Sequence, residues 1–209
     1  TERGSTVEIR ATIRSSDPDF GQQIRIIAEE SGKGVSVKTV YPQRRVQRDG
    51  NSSFSIDYRI KIPSNAPLQV KNRFGSISVH DVAAAQLNNS HGSISVRESR
   101  GPLEATNAFG SIDVSESGGA ILNNQNGSIQ ARDIRGELEV ANRFGSVSIR
   151  TVSGGVTIRN TNGSVDVHEI GGELSLENGF ASVAVSDIKG AVRITNNNGR
   201  VVLREAGKG

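Results

Sequence analysis

Residues 138–149 read LEVANRFGSVSI, and the same arrangement of residues returns along most of the chain. At its centre is Asn-x-x-Gly, which occurs eight times at intervals of 17 or 18 residues, with Ala in place of Gly in one copy. Such a period is typical of repeat architectures, in which each unit contacts only its neighbours. The eight copies begin at Asn72, Asn89, Asn107, Asn124, Asn142, Asn160, Asn178 and Asn196.

Apolar residues occupy four fixed positions around each motif. They lie four and two residues before Asn, and two and four residues after Gly; one such set is Leu138, Val140, Val147 and Ile149. This alternation predicts two short, half-buried strands per unit. Because the units follow one another without two-residue hairpin turns, each strand is expected to pair in parallel with a later copy of itself. The sequence therefore predicts an all-β fold, a right-handed parallel β-solenoid (β-helix).

The residue before Gly differs between alternate units and bears on the length of one coil. If like residues stack on like, a coil contains two units, or 35–36 residues and four strands, and about four coils carry separate ladders of Phe and of Asn. The alternative, one coil per 17–18 residues, would stack each Phe on His or Asn. The two series are Phe74, Phe109, Phe144 and Phe180, and His91, Asn126, Asn162 and Asn198.

The N-terminal segment lacks the motif but contains other alternating stretches that predict strands. We expect residues 1–66 to form a β-rich region that caps the first coil, and residues 67–209 to form the solenoid. The stretches are VEIRATIR from Val7, QIRIIAE from Gln23, GVSVKTVYP from Gly34 and SFSIDYRIKIP from Ser53.

Charge and composition narrow the classes of partner. The net charge is +3, from 25 Lys and Arg against 22 Asp and Glu, and there is no Cys. This charge is too balanced to attract nucleic acid by itself, and the cluster Arg44, Arg45 and Arg48 is expected to be a solvated loop. The absence of Cys excludes disulfides, and no apolar run approaches the ~18 residues of a spanning helix, so direct membrane insertion is not expected.

The two chain ends suggest further expectations. The first residue is Thr1 rather than Met, which suggests processing or trimming of an upstream segment. The last residues stop partway through a predicted coil, with no amphipathic helix to cover it. Since an uncovered parallel edge invites pairing, self-association or a partner subunit is expected at the C-terminal end.

The turn residues predict scaffold rather than chemistry. No helix follows any Asn-x-x-Gly and no Lys-Ser/Thr completes a phosphate loop. Ser follows Gly where a calcium-binding roll would need Asp, and His80, His91 and His168 fall in different units. We therefore expect no catalytic residue, cofactor or metal site, and we assign the eight motif Asn residues and the four Phe residues to structural ladders.

A carboxylate recurs six residues after Gly in seven of the eight units, and a basic residue precedes it in alternate units. A carbohydrate-active enzyme would place paired carboxylates on such a face, but catalysis needs one unusual constellation, whereas these residues recur. The pattern favours charge-compensated ladders at a solvated corner, with an extended carbohydrate or protein contact surface as the alternative. The candidate contact residues are Arg97, Glu98, Arg132, Asp133, His168, Glu169, Arg204 and Glu205.

Residues 58–82, YRIKIPSNAPLQVKNRFGSISVHDV, are followed by repeated G-x-I-x-V segments. Across residues 53–205 this pattern resembles the bacterial adhesin domain family, whose label derives from its architecture. The resemblance implies a β-solenoid in an envelope-associated or secreted protein, hence an extracytoplasmic location, and it implies no catalytic residues.

Three functions are weighed on this basis. The first is a noncatalytic, adhesin-like binding module that presents a repetitive surface to a protein or glycan. The second is a structural subunit of a larger assembly or filament that associates through its open end, as bactofilins do. The third, a carbohydrate-active enzyme, is the weakest.

Overall fold

The computed structural model describes residues 6–32, 34–42 and 53–207. The chain divides into two compact units, residues 1–63 and 64–209, which are treated separately. The basic cluster Arg44, Arg45 and Arg48 lies outside the described residues.

The first unit consists of two antiparallel strand pairs and one short helix. Strand β1 pairs with β4 and strand β2 pairs with β3. The Asp17 side chain accepts a hydrogen bond from the Phe20 amide at the start of the helix, at 3.0 Å. Hydrogen bonding and charge from Lys61 hold the pKa of Glu8 below its ordinary value. The elements are β1 (Glu8–Ser15), α1 (Pro18–Gln23), β2 (Arg25–Ser31), β3 (Gly34–Val40) and β4 (Phe54–Lys61).

The second unit is a parallel β-solenoid, as predicted. Its strands are β5 (Pro67–Phe74), β6 (Ile77–Val82), β7 (Ala84–His91), β8 (Ile94–Phe109), β9 (Ile112–Asn126), β10 (Ile129–Ile134), β11 (Leu138–Phe144), β12 (Val147–Val152), β13 (Val156–Asn162), β14 (Val165–Ile170), β15 (Leu174–Phe180), β16 (Val183–Ile188), β17 (Val192–Asn198) and β18 (Val201–Ala206).

The strand register shows that one coil contains 17–18 residues, so the predicted 35–36-residue coil is wrong. Strand β11 pairs in parallel with β13, which places Leu138 beside Val156, and β13 pairs with β15 in the same register. Each coil thus has two strands, and eight coils stack where four were predicted. At ~4.8 Å per strand the stack is about 38 Å long.

The shorter coil stacks unlike residues on one another in the column of residues before Gly. Phe144 stands between Asn126 and Asn162, and His91 stands between Phe74 and Phe109. The expected separate Phe and Asn ladders therefore do not exist. Because this column faces solvent, a ring can neighbour an amide without burying an unpaired polar group.

The core is a thin layer enclosed by two strand layers, which β8 and β9 join into one 14-stranded sheet. The four predicted apolar columns point inward, and the inner coils bury them almost completely; Leu122, Ile112 and Ile158 have no exposed surface. A fifth inward column, three residues beyond the last predicted one, was missed. It contains Val82, Ser99, Ser117, Ile134, Val152, Ile170 and Ile188, which are at most 2% exposed.

The motif Asn holds the turn between the two strands of a coil. Asn142 Nδ2 donates to the Gly145 carbonyl at 3.0 Å, and Asn160 Nδ2 donates both to the Gly163 carbonyl and to Asn178 Oδ1, each at 2.9 Å. Asn142 is only 4% exposed, so the side chain that donates to the turn carbonyl lies inside the core. The turn is therefore fixed from inside the core.

Candidate binding surfaces

The turns that follow the motif Asn form one edge of the solenoid, which we call the aromatic corner. It consists of residues 73–76, 90–93, 108–111, 125–128, 143–146, 161–164, 179–182 and 197–200. The main chain has positive φ at the motif Gly of seven of these turns, for example +116° at Gly110 and +127° at Gly145, and at Ala181 in the eighth. This conformation turns the chain sharply between two strands and directs the preceding side chain outward.

The four Phe residues of the aromatic corner are exposed to solvent. Phe74 is 66% exposed, Phe109 50%, Phe144 44% and Phe180 53%. The rings of Phe74, His91 and Phe109 form a stack with centroids 5.0 Å apart and planes within 10° of parallel. The stack therefore presents ring edges to solvent, while the ring faces contact one another.

The aromatic corner is basic and contains no acidic residue. The guanidinium groups of Arg73 and Arg143 lie 5.3 Å from the ring centroids of Phe74 and Phe144, within the range of cation–π attraction. Arg200 belongs to the last turn, and none of the eight turns contains Asp or Glu. Cations, amides and hydroxyls are thus the polar groups at this edge.

A second edge follows the other strand of each coil, and most of its residues are acidic. At the position six residues after Gly, the main chain is left-handed in all eight coils, with φ between 48° and 59°. Seven of these residues are carboxylates, and we call this edge the acidic corner. Its members are Asp81, Glu98, Glu116, Asp133, Thr151, Glu169, Asp187 and Glu205.

A basic column precedes the acidic corner by one residue. Its side chains form ion pairs with neighbouring carboxylates: Arg132 lies 3.6 Å from Asp113, and Arg150 lies 3.3 Å from Asp166. Arg100, which lies outside this column, pairs with Asp81 of the acidic corner. The register makes His80, Arg97, Ser115, Arg132, Arg150, His168, Ser186 and Arg204 successive members of this column.

The basic column and the acidic corner together form what we call the charged face, and several groups of potential chemical interest lie close to His168 on it. His168 Nδ1 lies 2.8 Å from Ser186 Oγ and 2.9 Å from Asp187 Oδ2, and its Nε2 lies 3.4 Å from Glu169. Sequence spacing gave no sign of this grouping, because the residues belong to different coils. A Ser-His-acid triad needs an acid hydrogen-bonded to the ring nitrogen opposite Ser, whereas Asp187 shares Nδ1 with Ser186, and Glu169 makes only a 3.4 Å contact with the opposite nitrogen.

The candidate contact residues from the sequence lie together on the charged face. Arg97, Arg132, His168 and Arg204 share one column, and Glu98, Asp133, Glu169 and Glu205 share the next. His80 and Arg150 belong to the same basic column but were not among the candidates, because the longer coil placed them elsewhere. The four Phe residues were assigned to the scaffold alone, yet they are the large apolar side chains that the solenoid exposes along one line.

The described residues lack two features, a metal-binding cluster and a membrane-spanning helix. No group of three or more His, Asp or Glu side chains within residues 6–32, 34–42 and 53–207 could hold a metal ion. In the same ranges, no helix has the length and apolar character needed to cross a membrane.

Comparison with protein-family models, with curated proteins and with solved structures finds no significant match to this chain. Its own residues are therefore the basis for the function proposed below.

Proposed function

We propose that this chain is a noncatalytic, extracytoplasmic binding module that presents a repetitive surface to a protein or glycan. The aromatic corner carries the proposal: four Phe side chains, 44–66% exposed, stand in one line at every second coil. Several large apolar side chains aligned on one edge of an otherwise polar surface favour an interaction site. A line that repeats along the coils suits a partner that is itself extended and repetitive.

The distribution of the other polar groups supports a binding role over catalysis. Ion pairs and carboxylates recur along the acidic corner, so most coils offer similar chemistry. The cluster around His168 departs from this regularity, but its hydrogen bonds join neighbouring coils: Thr151 donates to Glu169 at 2.9 Å, and Ser186 contacts His168. We assign these groups to stabilisation of the charged face.

Binding measurements on arrays of glycans and of peptides test the proposal. The informative variant combines Phe109→Ser with Phe144→Ser, and the matched control is Ile121→Ser, which removes another exposed apolar side chain, 46% exposed, from the outward face of β9. We expect the double variant to lose most of the binding and the control to retain it, because exposed aromatic anchors dominate contact energies.

The array results separate the parts of the proposal. Equal binding by the parent and the double variant would remove the aromatic corner as the contact surface. Release of a shortened glycan or peptide during incubation would contradict the noncatalytic role. Extracytoplasmic location rests on the family resemblance of residues 53–205, and detection of the native protein only in the cytosolic fraction of its cells would overturn it.

A further inference from the structure

We infer that the aromatic corner binds an acidic polysaccharide whose chain lies along this edge, parallel to the stack of coils. The inference rests on the binding role proposed above and specifies its ligand. The site comprises the exposed rings of Phe74, Phe109, Phe144 and Phe180, together with Arg73 and Arg143.

The shape of the aromatic corner favours a single extended polymer. The edge is one turn wide and, at ~4.8 Å per coil, about 34 Å long from Phe74 to Asn198. A Phe recurs every two coils, or every ~9.6 Å, which is close to the length of an extended disaccharide. Three residues of an extended peptide, at ~3.3 Å each, cover about the same distance, but its side chains alternate between opposite faces, so residues three apart do not both face the rings.

The charge of the aromatic corner favours an anionic ligand. Its turns contain Arg73, Arg143 and Arg200 and no carboxylate. The nearest acidic residues that follow the turns, Asp113 and Asp166, are paired with Arg132 and Arg150 on the charged face. Carboxylate or sulfate groups of a polysaccharide would therefore meet guanidinium groups, with which they form strong charge-assisted hydrogen bonds.

The orientation of the rings also favours an anionic ligand. In the stack of Phe74, His91 and Phe109 the ring faces cover one another, and the edges remain free. Aromatic edges carry the positive end of the ring quadrupole, so they attract anions. Bases of single-stranded nucleic acid need free ring faces for stacking, and this edge does not supply them in its first three coils.

Polar residues between the rings favour a polysaccharide over a lipid surface. Asn126 and Asn162 occupy the same column as Phe109 and Phe144, one coil apart from them. Insertion of the rings into a bilayer would desolvate these amides without giving them hydrogen-bond partners, which is unfavourable. Sugar hydroxyls would instead form hydrogen bonds with the amides, while the ring edges lie near the anionic groups of the polymer.

Titration of the intact protein with four polymers tests the inference. Polygalacturonate and dextran sulfate supply carboxylate and sulfate, dextran is the neutral counterpart, and polyglutamate is an acidic peptide. We expect saturable binding of polygalacturonate or dextran sulfate that weakens as salt is raised, and weaker binding of dextran and polyglutamate. Isothermal calorimetry at low and physiological salt provides the affinities.

Two double variants locate the site. Arg73→Gln with Arg143→Gln should weaken polysaccharide binding about tenfold, since loss of two exposed ionic contacts is worth about one decade in affinity. The matched control, Arg97→Gln with Arg204→Gln, removes the same charge from the charged face, leaves the ion pairs of Asp113 and Asp166 in place and should change the affinity less than twofold. Phe109→Ser with Phe144→Ser should abolish the saturable component.

The outcomes distinguish failure of the ligand from failure of the binding role. If dextran, polyglutamate or phosphatidylglycerol vesicles bind through the Phe residues and neither acidic polysaccharide does, the ligand is wrong and the binding role stands. If the charged-face control weakens binding as much as Arg73→Gln with Arg143→Gln, the site is wrong. If the Phe variant binds every ligand as the parent does, both proposals fail.

Discussion

The two corners of each coil both turn the chain at positive φ, but they do so at different values of φ and contain very different residues. Both need positive φ: +116° at Gly110 in the aromatic corner and +58° at Glu116 in the acidic corner. A Cβ added at Gly110 would lie 2.4 Å from the Gly92 carbonyl oxygen of the preceding coil. The acidic corner holds full side chains, and most of them are carboxylates. The first corner therefore favours Gly for two reasons: its φ lies beyond the left-handed values of the acidic corner, and a Cβ would meet the preceding coil.

This difference separates scaffold from surface within the aromatic corner. The Gly and Asn positions are constrained by neighbouring coils. The residue immediately before Gly, in contrast, points outward and is Phe, His or Asn. The constrained positions should control stability and the outward position should control binding. Four substitutions test this division, in order of decreasing expected effect.

The largest effect is expected from Gly110→Ala. The added Cβ must displace the backbone of the preceding coil and adopt a left-handed conformation, which alone costs 1–2 kcal/mol for an L residue. With the clash included, we expect a loss of about 3 kcal/mol in the free energy of unfolding, measured by urea denaturation. Glu116→Ala, at the left-handed position of the acidic corner, is the control and should change stability by less than about 0.5 kcal/mol. Equal losses in the two variants would refute the steric distinction.

The next largest effect is expected from Asn142→Ala. This side chain is 4% exposed and donates to the Gly145 carbonyl at 3.0 Å. Removal leaves that carbonyl without its donor and opens a small cavity, so we expect a loss of about 2 kcal/mol. Asn162→Ala removes a partly exposed amide of the outward column and should cost less than about 0.5 kcal/mol. A comparable loss from both amides would show that position in the turn does not matter.

The sequence predicted the fold class because its inward columns carry a regular signal. Apolar residues such as Val140 and Val147 alternate with polar ones, and the motif Asn and Gly mark every turn. The coil length was not predictable in this way, because His91 stacks between Phe74 and Phe109 at 5.0 Å as readily as another ring would. At a solvent-exposed column, the assumption that identical residues stack on one another is therefore a poor guide to strand register.

The parts of the surface that the sequence did not predict have local causes. The left-handed residue at Asp133 interrupts the alternation, so Ile134 points inward where period two would place it outside. Ser99 and Ser117 occupy that same inward column and hide its apolar character. The outward direction of Phe144 depends on the turn conformation, about which strand periodicity contains no information. These causes explain why the charged residues were noticed and the exposed rings were not.

A smaller, stabilising effect is expected at the one exception in the Gly column. Ala181 has φ of +87°, and the hydrogen bond from the Gly163 amide to the Phe180 carbonyl is 3.3 Å, against 2.8 Å for the Gly145 amide and the Asn162 carbonyl one coil earlier. Ala181→Gly relieves this strain, offset in part by the greater freedom of Gly in the unfolded chain. We expect a gain of about 1 kcal/mol by urea denaturation.

A matched substitution separates relief of strain from other effects of a new glycine. Ala184→Gly, at an exposed position of β16, introduces the same residue into ordinary strand geometry and should lower stability by about 0.5–1 kcal/mol. A loss at both positions would mean that Ala181 is not strained.

The smallest effect on stability is expected from Phe144→Asn, which extends the amide column at the aromatic corner. The ring is 44% exposed and its neighbours in register, Asn126 and Asn162, already contain Asn. We expect the free energy of unfolding to change by less than about 0.5 kcal/mol, while polysaccharide affinity falls severalfold. A stability loss above about 2 kcal/mol would instead make Phe144 a scaffold residue. Since the same protein preparation serves both measurements, a folded variant that no longer binds would place the function of the aromatic corner in its outward residues and its stability in the constrained ones.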